Sequence, residues 1–297
     1  MKKHTSQSEI KSFQTCKRKW FYSYVRQLRE KLYTPSALSQ GTFYHEGVEH
    51  ADGDWEAHLD GLFEREREKV DVIHHDALHE QVELAKILVS GFIEWAAETG
   101  LYADVEILAK EQQLAIDFEN FVVMGKLDEV VQSVDGSVTI RDHKTAADFS
   151  IFKLAQWDLQ LPSYQMLYNM SDLPGTATGA GWVVTKKNKR TARAKPPFYD
   201  THRTAYNEHK MAATEMLWRS VMHTILGLEA AWKDTPGEFP QDALFPPSFS
   251  RDCSWCNFKD LCAMQDDGSR IEDHIEEWYN VSDPFERYTN VEINGHA

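Results

Sequence analysis

The sequence predicts an α/β fold in which a mixed β-sheet is flanked by helices at both ends of the chain. Apolar residues recur at helical spacing before residue 100, and β-rich runs separated by turn residues follow between residues 105 and 142. A long helical stretch then begins near residue 202. The 297 residues allow one large domain or a core domain with a helical addition, and the 42% hydrophobic content allows a sizeable core.

The first third of the chain is predicted to be helical. Ser6 and Glu9 form a capping-box pattern at the start of a helix that runs to about Gln27. Gly100 is a plausible stop for the last helix of this region. The further helices predicted here cover residues 42–51, 55–70 and 76–98.

The middle of the chain is predicted to form a strand meander and then a mixed segment. Asn120 and the pair Asp135–Gly136 are turn candidates between the strands. The predicted strands cover 105–118, 121–133 and 138–142. The later elements are a helix over 151–169, a strand over 181–185, a loop or hairpin tip over 186–195, a returning strand from 198–199, a helix over 202–232 and an irregular connection over 236–250.

These elements divide the chain into four predicted regions. They are an N-terminal helical region (1–100), a core (101–200), a C-terminal helix with a cysteine cluster (201–265) and an acidic tail (266–297). The sequence assigns no role to the tail.

The formal net charge of −15 argues at first against a nucleic-acid partner, because phosphates are contacted mainly by Lys and Arg. The acids concentrate at 46–83 and 266–287, whereas 186–195 contains six basic residues and no acid. The sequence lacks an apolar run long enough for a membrane span and an apolar secretory signal near its start. We therefore expect a soluble cytoplasmic protein without a membrane partner.

Two carboxylates end neighbouring β-like runs, in Gly125-Lys-Leu-Asp128 and in Ile140-Arg-Asp142-His-Lys144. Adjacent antiparallel strands would bring Asp128 and Asp142 together, and a cation between them would relieve their repulsion. Oxygen ligands suit Mg²⁺ or Mn²⁺. Lys144 would share a strand face with Asp142 and could stabilise charge on a phosphate. A D-x-K pattern alone is weak, and ordinary strand-end surface residues are the alternative.

The four cysteines form a second constellation. Cys253, Cys256 and Cys262 lie within ten residues, and Cys16 lies in the N-terminal helical region. Four thiolates can hold either a zinc ion or a 4Fe–4S cluster, and ligand count alone does not separate the two.

The carboxylate segment resembles the RecB-like branch of the PD-(D/E)XK nuclease superfamily. That family has a Gly-x-x-Asp strand, an Asp/Glu-x-Lys strand and a helix with Gln-x-x-x-Tyr. Here the helix pattern is Gln160-Leu-Pro-Ser-Tyr164. The family's upstream Gly-x-x-x-His-Glu corresponds to Gly41-Thr-Phe-Tyr-His45-Glu46.

The resemblance implies a role for each of these positions. His45, Asp128 and Asp142 would bind the metal, with the carbonyl of His143 as a further ligand. Lys144 would assist the attacking water. Gln160 and Tyr164 would support the site or hold the substrate backbone. Glu111, on the first β-like run, is either an additional metal or water contact or an exposed strand acid.

The cysteine arrangement resembles the iron–sulfur-containing RecB-like nucleases, including the CRISPR-associated exonuclease family and the AddB nuclease domain. This resemblance spans about residues 6–264 and implies a 4Fe–4S cluster on Cys16, Cys253, Cys256 and Cys262. The cluster would join the N- and C-terminal helices around a PD-(D/E)XK core. A zinc-stabilised nuclease is the alternative.

Basic residues follow the predicted strand that ends at residue 185. They are expected to contact DNA, although a charged hairpin tip is commonly only solvated. The candidates are Lys186, Lys187, Lys189 and Arg190. The basic and aromatic residues at 17–22 are a weaker candidate, because the aromatics can equally belong to the core.

The function that the resemblance implies is metal-dependent hydrolysis of DNA phosphodiesters. An exonuclease acting on single-stranded DNA or DNA ends is expected, in recombination, repair or CRISPR-like spacer processing. The sequence has no G-x-x-x-x-G-K-[ST] motif, so unwinding would need a helicase partner. A recombinase- or integrase-type partner is also expected. The alternative is a non-catalytic DNA-binding or assembly subunit that keeps the nuclease fold.

Overall fold

The computed structural model of the protein divides into two units, which are described separately. The first unit comprises Met1–Lys31, Ala115–Met124 and Ala212–Ala297, and the second comprises Leu32–Leu114 and Gly125–Met211. The structure describes residues 2–32, 37–191, 193–234, 241–288 and 291–297. The first five residues of the predicted connection 236–250 lie outside this part of the chain.

Three helices of the second unit confirm the helical prediction for its N-terminal part. They are α3 (Ala37–Glu49), α4 (Trp55–Arg67) and α5 (His75–Thr99). Gly100 ends α5 in the left-handed conformation with φ of 65°, as expected of a C-terminal glycine. The apolar face of α5 packs against Phe43 of α3 and Leu59 of α4 in a buried cluster.

The second unit also contains a mixed sheet. Its strands are β3 (Val105–Asp117), β4 (Phe121–Ser133), β5 (Val138–Ala146), β6 (Ala177–Lys186) and β7 (Tyr199–Thr204); β3 and β4 continue into the first unit. Strand β4 pairs with β5 antiparallel, β5 with β6 parallel and β6 with β7 antiparallel, and β3 pairs with β4. The parallel step requires a crossover, which contains helix α6 (Gln160–Met170).

Two predicted helix starts were wrong. The segment predicted as a helix from residue 151 forms a 3₁₀ turn (Phe149–Leu154), and α6 begins only at Gln160. Asp158 sets this start, because its Oδ1 accepts hydrogen bonds from the first two backbone N–H groups of α6. The helix predicted from residue 202 is α7 (Glu208–Asp234), because residues 202–204 pair with β6 instead.

In the first unit, the single helix predicted over 6–27 was wrong. Strand β1 (Lys3–Ser6) pairs in parallel with Phe121–Met124, and the chain continues as α1 (Gln7–Thr15) and α2 (Lys17–Trp20), extended by a π-helical turn (Phe21–Val25). Cys16 breaks the helix with extended backbone angles, φ −159° and ψ 116°. Its Sγ accepts the Lys19 N–H at the start of α2, so it caps the second segment.

Ser6 caps α1, but Glu9 does not complete the predicted capping box. Ser6 Oγ accepts the Glu9 N–H. The buried Glu9 carboxylate instead accepts the indole N–H of Trp20 at 2.9 Å and pairs with Lys3 at 3.1 Å. The carboxyl group is therefore used for tertiary packing within this unit.

The described residues of the acidic tail take part in the fold of the first unit. Strand β8 (Tyr279–Val281) pairs antiparallel with β2 (Leu28–Glu30), and Asn294 accepts the Ala115 N–H at 2.9 Å. The remaining C-terminal helices are α8 (Gln241–Leu244), α9 (Lys259–Asp266) and α10 (Glu272–Trp278). No helix within the described residues is long and apolar enough to cross a bilayer.

Candidate active site and cysteine cluster

The two predicted carboxylates of the second unit lie where β4 and β5 stop pairing. The last antiparallel pair on this side is Glu129 opposite Arg141, and Asp128 and Asp142 are the next residues in the same direction. Glu129 is buried and forms an ion pair with Arg141 at 3.1 Å, while the Tyr102 hydroxyl donates to it at 2.9 Å. This satisfied charge pair holds the strands together beside the site.

Asp142, Lys144, Gln160 and Tyr164 form one hydrogen-bonded network. Lys144 Nζ lies 2.8 Å from Asp142 Oδ2 and donates to Gln160 Oε1 at 2.9 Å. Gln160 Nε2 donates to Asp142 Oδ1 at 3.0 Å and to the Tyr164 hydroxyl at 2.9 Å. The structure therefore unites the D-x-K strand with the Gln-x-x-x-Tyr helix.

Asp128 has different partners. His45 Nδ1 lies 3.3 Å from Asp128 Oδ2, and the His143 backbone N–H donates to the same oxygen at 2.8 Å. Helix α3 therefore brings His45 to the strand that carries Asp128. The geometry joins three of the residues that the sequence proposed as metal ligands: His45 and Asp128 by side chain, and His143 by backbone.

The two carboxyl groups titrate in opposite directions. Burial raises the pKa of Asp128, but the hydrogen bond and charge of His45 more than offset it, and the resulting pKa is about 2. Burial raises the pKa of Asp142 to about 6, and the charge of Asp128 adds to this rise although Lys144 opposes it. A buried pair of carboxylates in which one resists ionisation is a fitting place for a divalent cation. The oxygen donors and one imidazole suit Mg²⁺ or Mn²⁺.

The basic groups of the site have pKa values above their ordinary ones. Burial lowers the pKa of Lys144, but the Asp142 carboxylate outweighs it and the pKa lies above its ordinary value. Burial likewise lowers the pKa of His45, but its hydrogen bond to Asp128 outweighs burial, so the pKa lies above its ordinary value. An ammonium at Lys144 is therefore available as a fixed positive charge.

Sequence reasoning left Glu111 undecided and missed Glu49 and Lys126. Glu111 pairs closely with Lys126, and both Glu49 and Glu111 line a small cavity with His45 and Asp128. Burial raises the pKa of Glu111 to about 7, with contributions from Asp128 and Glu49. Glu111 has a φ of 51° within β3, a conformation that non-glycine residues rarely adopt and that often marks functional sites. Only the helical spacing of Glu49, one turn after His45, could have indicated it.

The side chain of His143 belongs to the core. The ring is buried and lies edge-on to Phe92 at 5.4 Å, and burial lowers the pKa of His143.

The basic run lies in the loop between β6 and β7. Lys186 Nζ lies 4.4 Å from the centre of the Phe149 ring, and the exposed Lys189 pairs with Glu80 at 3.1 Å. Arg190 folds back onto the protein, donating to the carbonyls of Lys186 and Asn188, and to the Tyr199 hydroxyl as well. The Arg190 guanidinium is therefore occupied by oxygens of the protein itself.

The four cysteines are neighbours within the first unit. The Ser248 N–H donates to Cys16 Sγ at 3.4 Å, and the Ser248 carbonyl lies 3.8 Å from Cys253 Sγ. Cys256 interacts electrostatically with Cys16 and Cys253, and Cys262 interacts with Cys16. Four clustered thiols that receive N–H groups are a suitable donor set for a metal centre.

Further polar groups face these sulfurs. Arg18 Nη1 lies 3.2 Å from Cys262 Sγ and forms a 2.5 Å ion pair with Asp266. The Lys19 and Ser250 N–H groups donate to Cys16 and Cys253 at 3.5 Å. These donors oppose burial, which raises the pKa of both Cys256 and Cys262.

Comparisons with known proteins identify the family of this chain. The family model described as the PD-(D/E)XK nuclease superfamily matches residues 4–263. An exonuclease candidate from Eubacterium rectale has a similar structure, with a TM-score of 0.51 and 12% identity over 74% of this chain and 80% of its own. SSO0001 matches at 15% identity over 64% of this chain and 75% of its own, with a TM-score of 0.33. No curated protein matches the sequence. Since the family model covers most of the chain, the protein belongs to the PD-(D/E)XK nuclease superfamily.

Proposed function

We propose that the protein is a metal-dependent deoxyribonuclease that hydrolyses DNA phosphodiesters. The observation that carries this proposal is the network joining Asp142, Lys144 and Gln160 beside the pair His45–Asp128. It combines acidic ligands, a fixed ammonium and a positioning amide in one place.

Each residue has a distinct task in this proposal. His45, Asp128 and Asp142 would hold Mg²⁺ or Mn²⁺, with the His143 carbonyl as a further ligand. When bound, the ion would polarise the phosphate and lower the pKa of the attacking water. The Lys144 ammonium orients that water and stabilises charge on the phosphate oxygens. Gln160 keeps Lys144 and Asp142 in register through its two hydrogen bonds.

An exonuclease acting on single-stranded DNA or DNA ends is the form of activity we propose. Trp157 precedes Gln160 by three residues and is 71% exposed, and Leu154 beside it is 57% exposed. An exposed indole in the segment that leads into Gln160 can stack on an unpaired base. The lysines at 186, 187 and 189 would follow the phosphate backbone.

We further propose that Cys16, Cys253, Cys256 and Cys262 hold a 4Fe–4S cluster with a structural role. Its support is the meeting of four thiols in the first unit, together with the N–H groups directed at their sulfur atoms. Anaerobically purified protein should be brown and contain about four irons per chain. A colourless protein with one tightly held zinc would replace this assignment with a zinc site.

DNA recombination, repair or CRISPR-like spacer processing is the setting in which such a nuclease would act. A helicase would supply unwound strands, and a recombinase- or integrase-type protein would use the trimmed ends. End-specific cutting in the assay below would support this setting.

The test is digestion of end-labelled single- and double-stranded DNA with Mg²⁺, Mn²⁺ or EDTA. We expect cleavage with either metal and none with EDTA. Asp142→Asn and Lys144→Ala should each lower the cleavage rate at least 100-fold, because each removes a group that acts on the transition state. Asp172→Asn and Lys69→Ala, on exposed positions of the same unit, are the matched controls.

The same assay addresses the non-catalytic alternative. If the wild-type protein binds DNA but never cleaves it with either metal, the protein is a binding or assembly subunit. If Asp142→Asn and Lys144→Ala cleave as fast as wild type, the site assignment is wrong.

A further inference from the structure

A second group of metal-ligating side chains lies outside the candidate active site. Glu46, His50 and His58 each offer one ligand atom, and these atoms all lie within 4.8 Å of one another. All three residues are partly exposed, so an ion could reach them from solvent. Among the described residues, this is the one group of three whose ligand atoms all lie that close together.

Two helices of the second unit create this group. Glu46 and His50 are four residues apart at the end of α3, so they share one side of the helical turn. His58 lies in the first turn of α4, whose start is fixed by Asp54, which accepts the Ala57 N–H at 3.2 Å. Glu46 directly follows His45, but successive helical side chains point about 100° apart.

The hydrogen bonds prepare the imidazoles as ligands. His50 Nδ1 lies 3.0 Å from the Glu46 carbonyl oxygen, which can only accept, so this nitrogen carries the proton and Nε2 carries the lone pair. His58 Nε2 lies 2.9 Å from Glu46 Oε2, which requires a proton between the two atoms. A metal ion can take the place of that proton. The two rings are stacked, with centroids 3.7 Å apart and planes 16° from parallel, so one ring has to rotate before the in-plane lone pairs of both can meet at one ion.

We propose that Glu46, His50 and His58 form a zinc site that ties the end of α3 to α4. Two imidazoles and one carboxylate are a set that Zn²⁺ favours over Mg²⁺, in contrast to the oxygen-rich pair at Asp128 and Asp142. Three protein ligands leave a fourth position for water. The nearby Lys126 interacts with Glu46, but its ammonium is paired with Glu111.

The test is zinc titration with two readouts, zinc bound per chain and melting temperature. It uses the Asp128→Asn/Asp142→Asn protein with the metal centre on its cysteines retained. The acidic ligands of the active site are absent from this protein. We expect one zinc per chain to be lost in the Glu46→Gln and His58→Gln variants of this protein. A zinc-induced rise in melting temperature of several degrees should disappear with it. Zinc bound elsewhere cancels in this comparison.

Glu46→Gln preserves an oxygen that can accept from His58, so this variant should fold even if the histidine variant does not. The exposed His223→Gln, in the other unit, is the matched control and should bind zinc like its parent. Unchanged zinc content and an unchanged melting response in both Glu46→Gln and His58→Gln would overturn the site.

Discussion

The two aspartates of the candidate site differ because their neighbours differ. Asp128 accepts from the His45 ring and the His143 N–H, and these partners favour the carboxylate. Asp142 is 1% exposed. Burial and the negative charge of Asp128 raise its pKa by more than the Lys144 ammonium lowers it. The fold therefore stabilises the ionised form of Asp128 and destabilises the ionised form of Asp142.

Substitution by asparagine should therefore have opposite effects on metal-free stability. The pKa of Asp142 rises from 3.8 to about 6, so the folded state binds more protons and the free energy of unfolding falls as pH rises through that interval. In EDTA at pH 7, Asp142→Asn should raise this free energy by roughly 1–3 kcal/mol. Asp128→Asn should lower it, because the depressed pKa of Asp128 means that ionisation stabilises the fold above pH 4 or so.

Melting curves in EDTA at pH 7 and at pH 5 measure both effects. The increase in stability produced by Asp142→Asn should be smaller at pH 5, where Asp142 of the wild-type protein is largely protonated. Asp172→Asn should leave the melting temperature unchanged. Equal destabilisation by both active-site variants would contradict the environments described for the two carboxyl groups.

Sequence reasoning could identify residues whose spacing is local but not those whose meeting depends on tertiary structure. Asp142 and Lys144 follow from alternation on one strand, and Gln160 and Tyr164 from one helical turn. Glu111 reaches the site through a left-handed backbone inside β3, which no periodicity indicates. Glu129 resembles a surface acid in sequence and becomes buried only through Arg141 and Tyr102.

At the scale of elements, turns and caps decided which boundaries could be predicted. Gly100 and the Asp135–Gly136 turn act locally, and both predictions are confirmed. The start of α6 depends on Asp158, and the strand at 202–204 depends on pairing with β6, so periodicity alone placed both helices too early. Gly125 has a packing reason as well, since a Cβ there would lie 3.2 Å from Leu167 of α6.

The segment before α6 should contribute to substrate choice. Trp157→Ala should weaken binding of single-stranded DNA by roughly 5- to 100-fold, because stacking on an aromatic ring is worth about 1–3 kcal/mol per base. Trp157→Phe should retain most of the binding. Fluorescence anisotropy with labelled oligonucleotides in Ca²⁺ measures this effect, with Trp278→Ala, also exposed, as the control. Equal affinity of wild type and Trp157→Ala would remove this residue from the substrate path.

The loop between β6 and β7 should supply the salt-dependent part of DNA binding. Alanine at Lys186, Lys187 and Lys189 together should weaken binding and flatten the slope of log K against log salt by about 2 for single strands. Arg190→Ala should instead lower the melting temperature, because its guanidinium bonds to protein oxygens. A triple-lysine variant with the wild-type salt slope would show that the loop is only solvated.

At the scale of the whole molecule, the sequence predicted the α/β class but not how the chain is divided. The first unit combines both ends of the chain with a short middle segment, Ala115–Met124. Strand β1 pairs in parallel with that segment, and β8 pairs antiparallel with β2. Both pairings join residues that are distant in sequence. Such pairings leave no trace in local periodicity, and three-residue strands are too short to recognise.

A metal centre on the cysteines would close a very long loop of the chain. Cys16 and Cys253 both lie beside Ser248, although most of the sequence separates Cys16 from Cys253. A metal centre on all four thiolates would restrict the unfolded chain strongly and couple its own binding to folding. Cys16→Ser should therefore lose the cluster and lower the melting temperature together, by several degrees or more. Visible absorbance, iron content and melting curves of anaerobically purified protein measure the two losses.

A matched substitution separates this effect from simple loss of a capping group. Ser6→Ala removes the cap of α1 in the same unit and should cost only about 1 kcal/mol while leaving the iron content intact. Chelation of iron from the wild-type protein should reproduce the lower melting temperature of Cys16→Ser. A Cys16→Ser protein with normal iron content and normal melting would show that Cys16 is not a ligand, and that the ends of the chain are held by packing such as that of Phe21 on Phe245, 4.3 Å apart.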